Sequence, residues 1–224
     1  GKLNEARKVL SEAYLEARGR QAQALRAALD PICRELVFNP RNVDIAKVHK
    51  VQPGENLISI ARKHGVYWRY IARLNDMDEN DIRRMRVGRQ LKIIPGQPSI
   101  VVWKDEFRMA LLLDGVYVKE YLIGTGKNGK TPTGDFIVNN MMVRAPWTAP
   151  DGKVYKYGEE GYQLGERWIA FEDQPGASGL GIHGTHDESS IGTMSSNGCL
   201  RMKNADVVEL YDFVRNDTKV TIME

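Results

Sequence analysis

The spacing of apolar residues changes along the chain of 224 residues, and the changes divide it into segments. Over residues 2–38 apolar side chains recur every three or four positions, which predicts amphipathic helices. We expect Gly19 to interrupt this pattern. Asp30-Pro31 predicts the start of a second, short helix, because aspartate favours the N-cap and proline the first helical position. The first segment, residues 1–42, is therefore predicted to be helical.

Residues 47–95 form a second segment, with a short strand at each end and two helical stretches between them. The order is therefore β-α-α-β. This segment resembles the lysin-motif (LysM) family, and the resemblance extends over four blocks: Val51–Leu57, Ser59–Ala61, Leu74-Asn75 and Val87–Ile93.

The LysM resemblance implies binding of N-acetylglucosamine polymers in a groove between the first strand–helix turn and the second helix–strand turn. The residues implied to line this groove are Pro53, Gly54, Glu55, Asn56, Asn75, Asp76 and Met77. Three aromatic residues, Tyr67, Trp68 and Tyr70, stand between the two predicted helices. Packing against the neighbouring segment is favoured for them over stacking on sugar rings.

A linker rich in proline and glycine precedes the third segment, residues 98–224, where apolar and polar residues alternate. Strands are predicted at 99–103, 108–113, 116–123, 134–142, 168–172, 181–183 and 218–223. Asp114-Gly115 predicts a hairpin turn, and Asn204 the N-cap of one helix with an apolar face. Residues 144–166, termed the lid segment below, are too long for an ordinary connection and predict a lid or binding loop.

The predicted fold class is α+β and multidomain. It combines the N-terminal helical segment, a small βααβ module and a mainly-β domain with one packed helix.

Composition indicates a soluble globular protein, with 42% apolar and 27% charged residues and no apolar run of membrane-spanning length. The net charge of +3 is uneven, since residues 1–97 carry 19 Lys and Arg against 11 Asp and Glu. A basic half suits anionic polymers or membrane surfaces. Without a tight basic run interleaved with aromatic residues, solvated charge is the favoured interpretation, and we expect no nucleic-acid partner. The chain lacks an initiator methionine, so we expect that a targeting segment has been removed.

The richest chemistry lies in two glycine-containing runs, Ser196–Arg201 and Gly181–Thr185. The first contains Cys199 and Arg201, and the second contains His183. An imidazole that takes the proton of a thiol creates a thiolate nucleophile. The loop before the cysteine can direct consecutive backbone N–H groups at one point, as an oxyanion hole requires. The guanidinium offers a planar fork for a substrate carboxylate.

Metal binding is a competing interpretation, since His183, His186, Asp187 and Cys199 are possible ligands. Zinc sites need three or four well-placed ligands, and this set is loose, so a nucleophile is favoured. The other cysteine, Cys33, lies on an apolar helical stripe, which predicts a buried and unreactive thiol. Two cysteines do not make a disulfide framework.

Residues 99–223 resemble the L,D-transpeptidase catalytic domain of bacterial cell-wall metabolism. The family's motifs occur in order along the chain, at Thr125–Lys127, Thr131–Phe136, Gly181–Thr185, Ser190–Gly192 and Ser196–Met202. A LysM module ahead of such a domain is a familiar arrangement in this family, so the two resemblances support each other. They imply an extracytoplasmic enzyme of the cell envelope or periplasm whose partner is peptidoglycan, both its stem peptides and its glycan strands.

The resemblance implies a two-step acyl transfer that needs no metal or other cofactor. Cys199 attacks a stem-peptide carbonyl, expels D-alanine and forms a thioester, and an amine of a second stem then takes the acyl group. His183 is the implied base, oriented by the carbonyl of Gly184. The implied oxyanion donors are the N–H groups of Asn197, Gly198 and Cys199. The implied substrate contacts are Arg201, Ser196, Trp147 and Tyr162, with a structural salt bridge as the alternative role of the arginine.

One position departs from the family, which commonly has histidine directly before the Gly-Cys pair where this chain has Asn197. The backbone N–H survives that change, so we expect an active enzyme that is slower or has an altered acceptor preference. Alternatives within the enzyme class are an L,D-carboxypeptidase, with water as acceptor, and an enzyme that attaches protein to the wall. A catalytically weak, LysM-anchored wall-binding protein is the alternative from another class.

Overall fold

A computed structural model describes residues 1–149 and 151–224. Pro150, which belongs to the predicted lid segment, lies outside the described residues. The chain divides into two compact units. The first comprises Gly1–Pro98 and Leu112–Lys119, and the second comprises Ser99–Leu111 and Glu120–Glu224.

The first unit begins with two helices, α1 (Lys2–Glu16) and α2 (Gly19–Cys33), followed by a π-helical turn at Arg34–Phe38. The break falls at Ala17, whose backbone is extended, and Gly19 begins the second helix. The expectation that Asp30-Pro31 opens a further helix is wrong, because Pro31 lies inside α2. Burial of the apolar stripe on both sides of the proline outweighs the one helical hydrogen bond that a missing N–H removes.

The two helices pack on Tyr117, which belongs to the same unit. Arg7 Nε donates to the Tyr117 carbonyl at 2.9 Å, and the Tyr117 hydroxyl donates to Asp30 at 2.6 Å. Cys33 is buried and its thiol lies 3.2 Å from the same carbonyl. Burial raises the pKa of Cys33 to about 11. The prediction of a buried thiol is confirmed.

The second part of this unit has the predicted β-α-α-β order with one added short helix. Its elements are β1 (Lys47–Lys50), α3 (Leu57–His64), α4 (Trp68–Leu74), α5 (Glu79–Arg83) and β2 (Gln90–Ile93). The two strands pair antiparallel, with Lys47 opposite Ile93. Helix α3 starts with a reciprocal capping box of Asn56 and Ser59. The charged stretch after Asn75 contains the added helix.

Lys92 joins this module to the helical segment. Its side chain is buried, and Nζ donates to the carbonyls of Leu36, Val37 and Asn39 at 2.8–2.9 Å. Burial lowers the pKa of Lys92 to about 8, which leaves the amine protonated at neutral pH. A single cation therefore satisfies three carbonyls at the end of the π-helical turn.

An eight-stranded sheet dominates the rest of the chain, in the order β13-β11-β10-β7-β14-β3-β4-β5. Its strands are β3 (Pro98–Trp103), β4 (Arg108–Leu113), β5 (Val116–Leu122), β7 (Gly134–Val143), β10 (Arg167–Phe171), β11 (Gly181–Thr185), β13 (Leu200–Lys203) and β14 (Lys219–Met223). Two small pairs add β6 (Thr125–Gly126) with β12 (Met194–Ser196) and β8 (Trp147–Thr148) with β9 (Val154–Tyr155).

Helix α6 (Asn204–Phe213) packs against this sheet through Val207, Leu210 and Tyr211. The predicted fold class, with a mainly-β domain and one packed helix, is confirmed. The predicted hairpin turn is also present, since Asp114 and Gly115 both have positive φ. Among the described residues, every helix falls short of the length and apolar character that a bilayer crossing requires.

Asn204 does not cap α6 as predicted. It is the first residue of the helix, and its side chain instead joins two other segments. Nδ2 donates to the carbonyl of Thr185 at 3.0 Å, and Oδ1 accepts the N–H of Glu166 at the same distance. The end of β11 is thereby held beside the end of the lid segment.

Candidate active site

Two neighbouring strands bring the predicted chemistry together. Strand β11 runs parallel to β13, and the register places His183 opposite Arg201. Cys199 immediately precedes β13, so the thiol and the imidazole come from adjacent strands. Residues 16 positions apart along the chain are neighbours because the crossover between parallel strands returns the chain to the same edge.

The two side chains face a common cavity of about 370 Å³. Its wall is formed by the lid segment, β10, β11 and the loop before β13. The lining residues are Pro146, Trp147, Thr148, Gln163, Leu164, Trp168, Gly179, His183, Ser196, Asn197, Cys199 and Arg201. Of the predicted site residues, the cavity therefore collects Cys199, His183, Arg201, Ser196, Asn197 and Trp147.

The imidazole of His183 is buried and held by the strand that carries it. Nδ1 donates to the carbonyl of Gly184 at 2.6 Å, which leaves Nε2 without the proton and able to accept one. Trp168 is its antiparallel partner on β10, with ring centroids 5.9 Å apart. Burial lowers the pKa of His183 to about 4, aided by the charge of Arg201 and opposed by the hydrogen bond to Gly184. The ring is neutral at physiological pH.

The thiol of Cys199 lies 3.7 Å from the carbonyl of Gly179 and donates to it. Burial raises the pKa of this thiol, while a backbone hydrogen bond from Gly181 and the charge of Arg201 oppose the rise. Within the described part of the chain the thiol makes no hydrogen bond to His183. The resting pair is thus a neutral thiol beside a neutral imidazole in one cavity.

The hydroxyl of Ser196 holds the loop that carries the thiol. It donates to the carbonyl of Cys199 at 2.7 Å and accepts the N–H of Gly198 at 3.0 Å. Although Ser196 lines the cavity, it is buried, and its hydroxyl is used inside the loop. The N–H of Gly198, one of the three predicted oxyanion donors, is directed at this hydroxyl.

Arg201 lines the cavity with a guanidinium that forms no ion pair among the described residues. Its Nη1 lies 3.5 Å from Ser195 Oγ, and its Nε is buried without a hydrogen-bond partner in the described chain. Its backbone is held by two hydrogen bonds of 2.9 Å with Gly124. The position suits recognition of an anionic group better than a structural salt bridge.

The lid segment is ordered by its own aromatic and charged side chains. Trp147 and Tyr155 pack with ring centroids 5.3 Å apart across the β8–β9 pair. Glu166 accepts from the Tyr157 hydroxyl and from Arg144 Nε, and the Tyr157 bond is the main cause of its lowered pKa. The described residues of the lid segment thus form one wall of the cavity.

Tyr162, predicted to contact substrate, supports the lid segment from inside. It is 6% exposed, and its hydroxyl donates to the carbonyls of Ala145 and Gly165. Two lining residues outside the segments that the sequence assigned to the site were missed: Trp168 and Gly179. Alternating apolar and polar residues predicted the strand that contains Trp168. Only the register between β10 and β11 shows that the Trp168 ring lies beside the imidazole of His183.

In the predicted glycan groove, most polar side chains hold the module's own backbone. Glu55 accepts from Gln52 N–H and from His49, and the first of these bonds is the main cause of its lowered pKa. Asn75 bonds to Ile71 and to both backbone groups of Lys92.

Four residues of the predicted groove are exposed: Pro53, Gly54, Asn56 and Asp76. Asn56 is used in the capping box, and Asp76 has a positive φ of 47°. Tyr70 is 3% exposed and donates to Ile94, and Trp68 packs on the module core. Both aromatic residues therefore contact the module itself, whereas the sequence favoured packing against the neighbouring segment.

Residues 1–149 and 151–224 contain no group of three or more His, Cys, Asp or Glu side chains placed to hold a metal ion. The four ligands considered for a metal therefore do not converge. His186, one of them, instead lies 6.3 Å from the ring of Tyr162.

Comparison with known proteins assigns both parts of the chain. The L,D-transpeptidase catalytic domain family matches residues 97–222, and the LysM domain family matches residues 49–93. The putative L,D-transpeptidase YqjB of Bacillus subtilis is 38% identical over 134 residues, covering 58% of this chain and 74% of that protein. The putative L,D-transpeptidase YkuD of Bacillus subtilis is 31% identical over 182 residues, covering 78% and 97%.

Among solved structures, the catalytic domain of the Enterococcus faecium L,D-transpeptidase aligns with a TM-score of 0.45 and 25% identity. That alignment covers 57% of this chain and 98% of the other.

The chain belongs to the L,D-transpeptidase family, and it carries a LysM domain ahead of the catalytic domain. The family assignment makes it an acyltransferase, and the two domains together imply peptidoglycan binding. Both resemblances drawn from the sequence are confirmed.

Proposed function

We propose that this protein cross-links peptidoglycan by acyl transfer through a thioester on Cys199. The observation that supports the proposal best is the shared cavity, in which a thiol, a neutral imidazole and a guanidinium with no ion pair among the described residues meet. Each group has the chemistry of one role: nucleophile, base and anion contact. The lid segment contributes Pro146, Trp147, Thr148, Gln163 and Leu164 to the lining of the same cavity.

In the first step the sulfur bonds to the donor carbonyl while the thiol proton passes to His183 Nε2. The thiol first leaves the Gly179 carbonyl to which it donates at rest. The tetrahedral intermediate then expels the amine of D-alanine, which takes the proton back from the imidazolium. The product is a thioester and a neutral imidazole.

In the second step an amine of another stem peptide attacks the thioester. Its proton passes to His183, the carbon–sulfur bond breaks, and the thiol regains a proton. Because the imidazole is neutral at rest, with a pKa of about 4, it can accept a proton in both steps. Gly184 keeps the accepting nitrogen turned to the cavity throughout.

The proposal assigns the developing oxyanion to the N–H groups of Asn197 and Cys199. The third predicted donor, the N–H of Gly198, already donates to Ser196. Arg201 is assigned to a carboxylate of the donor, and Trp147 to the substrate-facing wall. Ser196 and Tyr162 are assigned no substrate contact, because their hydroxyls bond to backbone groups of the loop and of the lid segment.

The test is covalent labelling by a carbapenem, a strained acyl donor, followed by intact mass. We expect a single adduct that is lost in Cys199→Ser and retained in the matched variant Cys33→Ser, since the second thiol is buried with a raised pKa. Labelling that persists without Cys199 excludes the proposed nucleophile. Absence of any adduct in the unaltered protein favours the catalytically weak wall-binding alternative.

The group that accepts the acyl chain is identified from the reaction products, because labelling of the thiol reports only the first step. Incubation with purified muropeptides and mass analysis distinguishes a dimer with loss of D-alanine from a shortened monomer. We expect the dimer. A shortened monomer alone identifies an L,D-carboxypeptidase, and a peptide joined to an added protein identifies a wall-attachment enzyme.

The LysM domain is proposed to hold the enzyme on glycan strands in the cell envelope, outside the cytoplasm. Since Glu55 and Asn75 are used internally, backbone groups of the exposed Pro53-Gly54 turn are the proposed contacts. Gly54→Val should weaken retention on peptide-free glycan. Gly65→Val is the matched control, because both glycines have positive φ and open space around them. Equal retention by both variants contradicts this assignment.

A further inference from the structure

Thr131 joins two segments beneath the loop that carries the thiol. Its side chain is 1% exposed. Its hydroxyl accepts the N–H of Gly126 at 2.7 Å and donates to the carbonyl of Gly198 at 2.8 Å. The packing is close. A Cβ added at Gly126 would lie 2.7 Å from Thr131 N and 3.0 Å from Gly198 Cα. The hydroxyl therefore bridges two backbone groups, as acceptor to one and as donor to the other.

The carbonyl of Gly198 and the N–H of Cys199 belong to the same peptide unit. That unit is planar and trans, so its two polar groups point in opposite directions. A hydroxyl that holds the carbonyl on the Thr131 side therefore directs the N–H away from Thr131. Ser196 holds the groups on either side, the N–H of Gly198 and the carbonyl of Cys199.

We propose that Thr131 is a positioning residue for acyl transfer, because it sets the direction of the Cys199 N–H toward the acyl oxygen. The inference rests on the proposed function, in which this N–H stabilises the oxyanion. Gly198 contributes through its backbone, which has a φ of 135° that suits glycine. Two hydroxyls, those of Thr131 and Ser196, thus orient the peptide groups around the nucleophile.

The test compares Thr131→Val, which removes the hydroxyl at similar volume, with Thr131→Ser, which keeps it. Thr133→Val is the matched control, since Thr133 is exposed in the same turn. Two quantities are measured: the rate of carbapenem acylation and the infrared stretching frequency of the thioester carbonyl in the adduct. A carbonyl that loses a hydrogen bond stretches at a higher frequency.

For Thr131→Val we expect acylation slower by about 10²-fold, the usual effect of losing one oxyanion donor, and a carbonyl frequency raised above that of the unaltered protein. Thr131→Ser and Thr133→Val should keep both values. Slower acylation with an unchanged frequency shows a merely structural role and overturns the inference. An unchanged rate and frequency in Thr131→Val overturns it as well, while the thioester chemistry stands.

If Thr131→Val does not fold, amide NMR of the unaltered protein takes its place. The inference requires the Cys199 N–H proton to shift downfield on acylation, as a new hydrogen bond forms, and Thr131→Ser to show the same shift. An unchanged Cys199 amide overturns it. If the unaltered protein forms no adduct at all, the proposed function itself fails and the inference fails with it.

Discussion

The carbonyl of Gly184 accepts a hydrogen bond of 2.6 Å from Nδ1 of His183, the residue before it on the same strand. The tautomer of the imidazole is thereby set by backbone, without a carboxylate. A carboxylate partner stabilises an imidazolium strongly, whereas a carbonyl does so less. Burial lowers the pKa of His183 and keeps the resting ring neutral, and the carbonyl opposes this less than a carboxylate would.

Replacement of His183 by glutamine should slow acylation by a carbapenem by about 10²- to 10⁴-fold, the usual contribution of a general base. The time course of adduct formation by intact mass measures it. His186→Gln is the matched control, because that histidine is exposed on the following turn. Equal rates in the two variants contradict the assignment of the base.

The pH dependence of acylation should show an acid limb near the lowered pKa of His183, about 4. Above that pH the imidazole is neutral and accepts the thiol proton, and below it the ring is charged and activity is lost. Arg201→Gln removes a positive charge that lowers this pKa, so the acid limb should move to higher pH.

Arg201→Lys keeps the charge and is the matched control for that shift. It should leave the acid limb in place while weakening any bidentate contact with the donor carboxylate. Rates measured across the acid range in both variants separate the two effects. A limb that stays in place in Arg201→Gln argues against electrostatic coupling between the two side chains.

An exchange of Asn197 for histidine should leave the acylation rate within about twofold, as is usual for an exposed side chain that makes few contacts. The proposed role of this residue uses its backbone N–H, which the substitution does not alter. The rate of adduct formation tests this directly. A large gain in acylation shows that an imidazole at this position acts in the first step.

Removal of the Glu166 carboxylate should loosen the lid segment. Glu166→Gln weakens the bonds to Tyr157 and Arg144, so we expect the KM for the donor to rise about tenfold with a smaller change in kcat. Glu160→Gln is the matched control, since Glu160 is exposed in the same segment. A fall in kcat alone points instead to a displaced His183.

Lys92→Met should destabilise the first unit by about 3 kcal/mol, because three carbonyls lose their common donor in a buried place. Lys50→Met, an exposed lysine on β1, should have little effect. Chemical denaturation monitored by circular dichroism measures both. Similar stabilities of the two variants indicate that water satisfies the carbonyls when the amine is absent.

Alternation and motif chemistry predicted much of this protein. Strand β4 was predicted with its observed bounds, and the turn at Asp114-Gly115 follows from residues that accept positive φ. Such features depend on neighbouring residues and are visible in a short window of sequence. The motifs around Cys199 and His183 were recognisable in the sequence by their side-chain types and flanking glycines, although His183 lies buried on β11 and not in an exposed turn.

Pro31 and Asn204 show where local rules failed. Each has a strong local preference, for a helix start and for a helix cap, but Pro31 continues α2 and Asn204 binds segments distant in the chain. Ser196, implied by the family resemblance to contact substrate, instead bonds within its own loop. A local preference such as a helix cap contributes about 1 kcal/mol to stability. Burial of an apolar stripe or a hydrogen bond between segments can outweigh it.

The amino-acid sequence by itself determined the order of the main elements, the two domain families and the candidate reactive groups. Tertiary structure alone decided that the thiol rests on Gly179, that Trp168 faces the imidazole, and that Thr131 holds the Gly198–Cys199 peptide. The physical reason is that side-chain type and periodicity are local properties of the chain. The direction of a hydrogen bond, by contrast, depends on which distant strand becomes its neighbour.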